Sequence, residues 1–321
     1  MYFKQSRNAF IRQYGPYTYI VNQVSKVDQV FTDAETFTRQ IAREPRTVAK
    51  AVEALVQAFP GVARETLETD FTAFLRSLAE AGHVVLGESA EELEAKDLDF
   101  SYDMEAPWTL PDLGNTPTEE EDKGSQALHD YFLKHPTPFS VHFDLTSKCT
   151  EKCVHCYVPR NRDFFIDKAK CFEVMDQVKA LGGLSITLSG GECMLHPDFD
   201  EILRYARKCD FVINILTNLT LCTKARTKLL KEMNVSFVQV SLYSMDPKLH
   251  DAITQLPGSF ERTKAAIERL HALNVPLQIS CPTMRGNYKG YRAVLDYAAS
   301  LRIKGYTDFI MMARSDHTTD N

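Results

Sequence analysis

The chain has 321 residues, 44% hydrophobic and 25% charged, enough to bury a sizeable core in about two domains. Its 37 Lys and Arg against 43 Asp and Glu give a net charge of -6 and an isoelectric point near 5.9, which excludes the basic footprint of a chain that wraps nucleic acid. The N-terminus lacks the apolar core of a secretory signal, and no apolar run approaches the roughly 20 residues that span a bilayer; a cytoplasmic protein with no nucleic-acid and no membrane partner is expected.

The segments FIRQY, YTYIVNQ and DQVFT are rich in aromatic and β-branched residues, with Gly15-Pro16 as a turn between the first two, and read as three short strands. After Phe31 the period changes. DAETFTRQIA, RTVAKAVEALVQAF and RETLETDFTAFLRSLAEAG place apolar residues three and four apart, which predicts three helices, the last stopped by Gly82. HVVLGE returns to strand. Residues 1–87 are thus expected to form a small winged-helix-like α+β domain. Residues 88–137 are acidic, carry few large apolar side chains, and read as a linker in which Trp108 is a point that a domain could pin.

From Pro138 onward, strands FSVHFDLT, LSITLSG, FVINILTN, FVQVSLYS, PLQISCPT and TDFIMMARS alternate with amphipathic stretches near 165–181, 198–208, 223–233, 260–273 and 288–302. Near-continuous apolar strands joined by helices predict a parallel sheet, because a parallel crossover needs a helix to bring the chain back. Six such units over residues 138–321 make an α/β class protein with a partial (β/α)6 TIM-like barrel, its site at the C-terminal ends of the strands.

The first of those ends carries CTEKCVHCY, with Cys149, Cys153 and Cys156 close together; the other five cysteines are isolated. Thiolates select zinc, copper(I) or iron-sulfur iron. A structural zinc would close with a fourth ligand, and none stands at a second paired motif. A [4Fe-4S] cluster on three cysteines keeps one iron open to a small molecule, so three is then the required number.

Cys-x3-Cys-x2-Cys after a first strand, with Tyr157 behind it, resembles the signature of the radical S-adenosylmethionine (SAM) superfamily. The five later strand ends carry further matches. LSGGECMLHPDF resembles the Gly-Gly-Glu motif that receives the methionine amino group, here Gly190, Gly191 and Glu192. ILTNLTL resembles the Thr-Asn turn, here Thr217 and Asn218. Ser241 and Arg262 resemble the pair near the ribose and carboxylate, and Thr283 and Met311 follow at the fifth and sixth strands, Met311 where the family packs adenine. Cys193 stands where family members often have proline. Taken singly, a Gly-Gly pair is an ordinary turn and Arg262 a solvated helix face; their joint placement on one rim carries the resemblance. It implies a [4Fe-4S] cluster and SAM as cofactors, a 5′-deoxyadenosyl radical as the reactive species, and a flavodoxin- or ferredoxin-type one-electron reductant.

Three strands followed by three helices ahead of such a barrel resembles the PqqD-like peptide-recognition domain of the SPASM-type peptide maturases. In that family the leader of a ribosomally made precursor peptide adds as a strand to a sheet edge. The resemblance implies Asp28, Gln29, Val30 and Phe31 as the peptide edge, facing the helix from Arg64 to Ala81. The expected function is a radical SAM enzyme that installs a thioether or carbon-carbon crosslink, or an epimerised centre, in a leader-bearing peptide. A radical SAM enzyme acting on a small molecule or folded protein, and a non-catalytic iron-sulfur or zinc peptide-binding protein, are the alternatives. Auxiliary clusters are expected only with a removed C-terminal domain, which would begin near the tail ARSDHTTDN.

Overall fold

The computed structural model describes residues 1–103, 119–158 and 163–308. Trp108 and Met311 lie outside the described residues. The chain forms two units, residues 1–99 with 119–137 and residues 100–103 with 138–308.

In chain order the first unit runs β1 (Tyr2–Gln5), β2 (Ala9–Tyr14), β3 (Tyr17–Asn22), β4 (Asp28–Thr32), α1 (Glu35–Thr38), β5 (Arg46–Thr47), α2 (Val48–Ala58), α3 (Arg64–Glu80), β6 (Val84–Gly87), α4 (Ala90–Lys96) and α5 (Glu119–Lys134). Two antiparallel sheets result, ordered β5-β1-β6 and β2-β3-β4, with β4 at an edge. The apolar residues of α3 recur at Leu67, Phe71, Leu75 and Leu78, one face of a helix, and all four are buried. Phe71 meets Phe3 of β1 edge-on at 5.5 Å, and Phe3 is fully buried. Gly82, at φ +73°, turns the chain out of α3.

The sequence reading missed β1 because the strand is short and carries Lys4. That lysine is only 5% exposed, and Asp97 and Glu94 face its Nζ at 2.9 and 2.6 Å. Asp97, itself buried, also accepts hydrogen bonds from Ser6 Oγ and Arg7 N. This ion pair ties the end of α4 to β1, so residues 90–99 pack as part of the unit although their composition suggested a linker. A start signal for α4 was present: Ser89 Oγ accepts from Glu92 N, while the Glu92 carboxylate accepts from Glu88 N. α5 likewise rises within the expected linker, with Leu128 buried and Phe132 set edge-on against Tyr14 at 4.8 Å.

The second unit runs β7 (Ser140–Asp144), α6 (Lys168–Ala180), β8 (Ser185–Ser189), α7 (Phe199–Lys208), β9 (Val212–Thr217), α8 (Lys224–Glu232), β10 (Phe237–Ser241), α9 (Pro247–Thr254), α10 (Ser259–Ala272), β11 (Leu277–Pro282), α11 (Tyr291–Ser300) and β12 (Lys304–Asp308). All neighbours are parallel and the order β7 to β12 is sequential, the expected partial barrel. α9 was not foreseen, although Asp246-Pro247 marks its start, with the Asp246 carboxylate capping Lys248 N. Residues 100–103 are fastened to this unit by Tyr102, whose hydroxyl donates to Val275 O and accepts from Leu277 N, both at 2.9 Å. Its ring stacks on His271. Among the described residues no helix is long and apolar enough to cross a membrane.

His83 is 1% exposed in the first unit, and neither ring nitrogen has a hydrogen-bond partner. Burial pushes its pKa down from 6.5 to about 4, against a weaker opposing pull from Asp28. A base whose folded pKa lies below its unfolded one leaves stability whole above pH 6.5 and removes it as the pH falls toward 4. We expect hydrogen exchange of β1 and β6 to report a loss of up to about 3 kcal/mol across that window. The His83→Leu variant should show a flatter profile there, and an unchanged profile would place the acid sensitivity elsewhere.

Candidate active site

The loop after β7 carries Cys149, Cys153 and Cys156, all partly exposed, whereas the other five cysteines are buried. Two of its amides, Lys152 N and Val154 N, donate to Thr254 O and Ile253 O at the end of α9. The unforeseen helix is therefore what holds the cysteine loop. Val154 and Cys153 also pack on Tyr243, Ile253 and Met284.

The loop after β8 is pressed against the start of the cysteine loop. Leu145 N donates to Ser189 O, Gly191 N to Thr146 O and Glu192 N to Lys148 O, at 2.7–3.0 Å. A Cβ on Gly190, which sits at φ +125°, would come within 2.3 Å of Thr146 O; one on Gly191 would come within 2.3 Å of Lys148 O. The glycine pair is thus required by backbone packing against the cysteine loop, a stronger constraint than the ligand approach that the motif suggested.

Glu192 is fully buried. Its Oε1 accepts from Thr217 Oγ1 at 2.8 Å and Met194 N at 3.0 Å, and its Oε2 accepts from Asn218 N at 2.8 Å. Burial pushes its carboxyl up, against the downward pull of those three bonds. With its oxygens so engaged, Glu192 braces the loops after β8 and β9. Asn218 continues the chain of contacts, its Nδ2 lying 3.0 Å from Thr150 Oγ1 and 3.6 Å from Cys149 Sγ, while its carbonyl accepts from Thr263 Oγ1.

These loops enclose a cavity of about 190 Å³. All three cysteines, Gly190, Gly191, Thr217, Asn218 and Ser241 line it, together with His155 of the cysteine motif and joined by residues that the motif reading passed over: Glu151, Gln239 and Tyr243. Tyr243 Oη stands 3.3 Å from His155 Nε2 and 3.9 Å from Cys153 Sγ, and His155 Nδ1 is buried without a partner. Of the residues passed over, Gln239 has a sequence signal, its alternation with Ser241 along β10. Arg262 lines a second cavity with Leu219 to Thr223 and Glu261, and Nη2 donates to Pro257 O. Thr283 does not line the cysteine cavity; its amide donates to Asp308 O, holding β11 to β12. Cys193, Cys222 and Cys281 are buried and do not line the cysteine cavity; Cys193 Sγ and Cys281 Sγ lie behind its wall, 3.4 Å from Leu216 O and 3.8 Å from Tyr243 O, and Cys222 lines the second cavity.

The donor set fits an iron-sulfur cluster. Burial pushes the Cys149 thiol up to about 12, with nearby Glu192 and Glu151 adding to the rise, and raises Cys153 further still. Such surroundings hold a thiolate only against a strong positive centre, which iron supplies. Among the described residues no three His, Cys, Asp or Glu side chains close in on a single ion. A four-iron cluster offers each thiolate its own iron and takes a wider set.

Removal of the brace should be costly. Glu192→Ala leaves the Thr217 hydroxyl and two amides without their acceptor, and a loss of about 2–4 kcal/mol in chemical denaturation is expected. Gly190→Ala should destabilise as well, because it demands both a left-handed φ and space held by Thr146 O. In both variants the iron bound per chain after reconstitution should fall; full iron content with unchanged stability would show that the loops do not depend on this packing.

Residues 144–298 match the Radical SAM superfamily and residues 34–84 match coenzyme PQQ synthesis protein D (PqqD). Members of the former use a [4Fe-4S] cluster and SAM. The AdoMet-dependent heme synthase of Methanosarcina barkeri is 32% identical over 181 residues, 54% of this chain and 51% of that one. The PqqA peptide cyclase of Ruegeria pomeroyi is 28% identical over 52% of this chain and 45% of its own. The antilisterial bacteriocin subtilosin biosynthesis protein AlbA of Bacillus subtilis is 33% identical over 45% of this chain and 34% of its own. The chain spans about half the length, or less, of these relatives. The crystal structure of Streptococcus suis SuiB bound to precursor peptide SuiA matches with a TM-score of 0.58 and 16% identity over 95% of this chain and 62% of that one, a likeness of fold.

Proposed function

We propose that this chain, which carries a radical SAM domain over residues 144–298 and a PqqD-like domain over residues 34–84, is an enzyme that modifies a ribosomally made precursor peptide. The observation that carries the reading is the shared cavity, where Cys149, Cys153 and Cys156 face the Gly190-Gly191 turn, Asn218 and Ser241. Cys149, Cys153 and Cys156 would hold the cluster. Gly190 and Gly191 offer their backbone to the methionine portion of SAM, while Glu192 orients them from behind. Ser241 on β10 supplies a hydroxyl for the ribose or carboxylate, and Thr217 and Asn218 close the wall between.

When bound, the cluster and SAM together supply one-electron cleavage of the sulfonium to methionine and a 5′-deoxyadenosyl radical that abstracts a hydrogen atom. The protein's part is to position and to exclude water. Arg262 lines the second cavity, and its charge acts on Glu151 of the cysteine loop, opposing the upward push of burial on that carboxyl. Thr283 serves by holding β11 to β12. The electron is assigned to a flavodoxin- or ferredoxin-type donor.

The PqqD-like match and the likeness of the radical SAM portion to PqqA peptide cyclase and AlbA favour a peptide substrate, with a crosslink or an epimerised centre as the product. Asp28, Gln29, Val30 and Phe31 are the assigned peptide edge. One observation favours a second reading, a small-molecule substrate: the 32% identity with the enzyme named AdoMet-dependent heme synthase.

Anaerobic reconstitution with iron and sulfide, followed by SAM and dithionite, should release 5′-deoxyadenosine detectable by mass spectrometry. The Cys149→Ala, Cys153→Ala, Cys156→Ala triple variant should fall to background. A wild-type chain that holds a reducible four-iron cluster yet releases none would overturn the catalytic reading.

A further inference from the structure

The edge assigned to the peptide is already covered within the same unit. In the β3-β4 ladder Asn22 N donates to Val27 O and, at the other end, Asp33 N donates to Pro16 O, both at 2.9 Å. Hydrogen-bonded and non-bonded pairs alternate along an antiparallel ladder, so Tyr19–Val30 is a non-bonded pair. The N–H and C=O of Val30 therefore point away from β3, as a template for another strand.

α5 lies across that template. A Cβ on its Gly124 would sit 3.3 Å from Val30 Cβ and 3.4 Å from Val30 O, so the helix backbone approaches the strand as closely as it does because this position is glycine. The farther end of α5 is anchored by rings, Tyr131 against Gly15 and Tyr17 and Phe132 against Tyr14. A helix interior has spent its amides on its own carbonyls, so it shields the edge from other chains and cannot extend the ladder. An incoming strand can do so.

We propose that α5 is an internal cap on the β4 edge, exchanged for a peptide strand, so that recognition of the peptide and release of residues 119–134 are one event. The inference rests on the reading of β4 as the peptide edge. The affinity of a site that is open only part of the time is reduced by the open fraction. A variant that cannot seat the cap therefore binds peptide more tightly than the wild type.

Gly124→Leu separates the two, since leucine favours helix over glycine while its side chain collides with Val30. A displayed library of random 20-residue peptides is selected against the full-length Gly124→Leu chain, and the winners are titrated against both proteins. We expect them to bind Gly124→Leu about tenfold or more tightly than wild type. Val30→Pro in the same background should abolish binding, since it deletes the outward N–H and leaves the β3 ladder whole. Equal affinity for wild type and Gly124→Leu, with binding still lost on Val30→Pro, overturns the cap and leaves the peptide edge standing. No winners, or winners indifferent to Val30→Pro, overturn the edge reading and the cap with it. Independently of any peptide, exchange of the Val30 amide should accelerate about tenfold or more in Gly124→Leu and in Tyr131→Ala; unchanged exchange in both refutes the cap.

Discussion

One carboxylate without access to water organises the cysteine-lined cavity. Glu192 accepts from Thr217, Asn218 and Met194, and in doing so fixes the loop after β8 to the loop after β9. The same loop is fused to the cysteine loop through the backbone, at a distance that only Gly190 and Gly191 permit. A buried polar group that is fully satisfied rigidifies its surroundings, and here the surroundings are three strand ends that line one cavity. Asn218 extends the brace to Cys149 and Thr150, so the Thr-Asn turn serves the cysteines as well as the cavity wall.

The dependence on α9 follows the same logic. A loop that carries three closely spaced cysteines has few apolar residues of its own to bury. It gains its shape by donating Lys152 N and Val154 N to the carbonyls at the end of α9, and by resting Val154 on Ile253 and Tyr243. Burial raises the pKa of the Cys149 and Cys153 thiols and so favours their thiolates only beside a positive centre.

In the first unit a different economy operates. The small sheets and three helices bury one compact cluster around Phe3, Phe71 and Leu75, and the acidic stretch behind them is drawn in by charge and by aromatic contact. Lys4 with Asp97 secures α4, while Tyr131 and Phe132 secure α5. The edge of β4 is thereby shielded by a piece of the chain that composition alone assigns to a linker.

Local pattern carried much of this protein. The first five strands of the partial barrel, the period change after Phe31, and the spacing of Cys149, Cys153 and Cys156 are all properties of short windows, so periodicity and motif are enough to find them. The sixth strand begins at Lys304, three residues before the run TDFIMMARS that marks it in the sequence. Other features depend on partners far away in sequence. Lys4 reads as a surface residue until Asp97 arrives 93 positions later to neutralise it. Arg262 and Ser241 stand 21 residues apart in sequence and line different cavities. Gln239 and Tyr243 belong to no signature and meet the cysteines only once β10 is aligned beside β9. What decided those positions was the closing of strand ends upon one another, because a contact between loops depends on the packing of whole elements and leaves no trace in a local window.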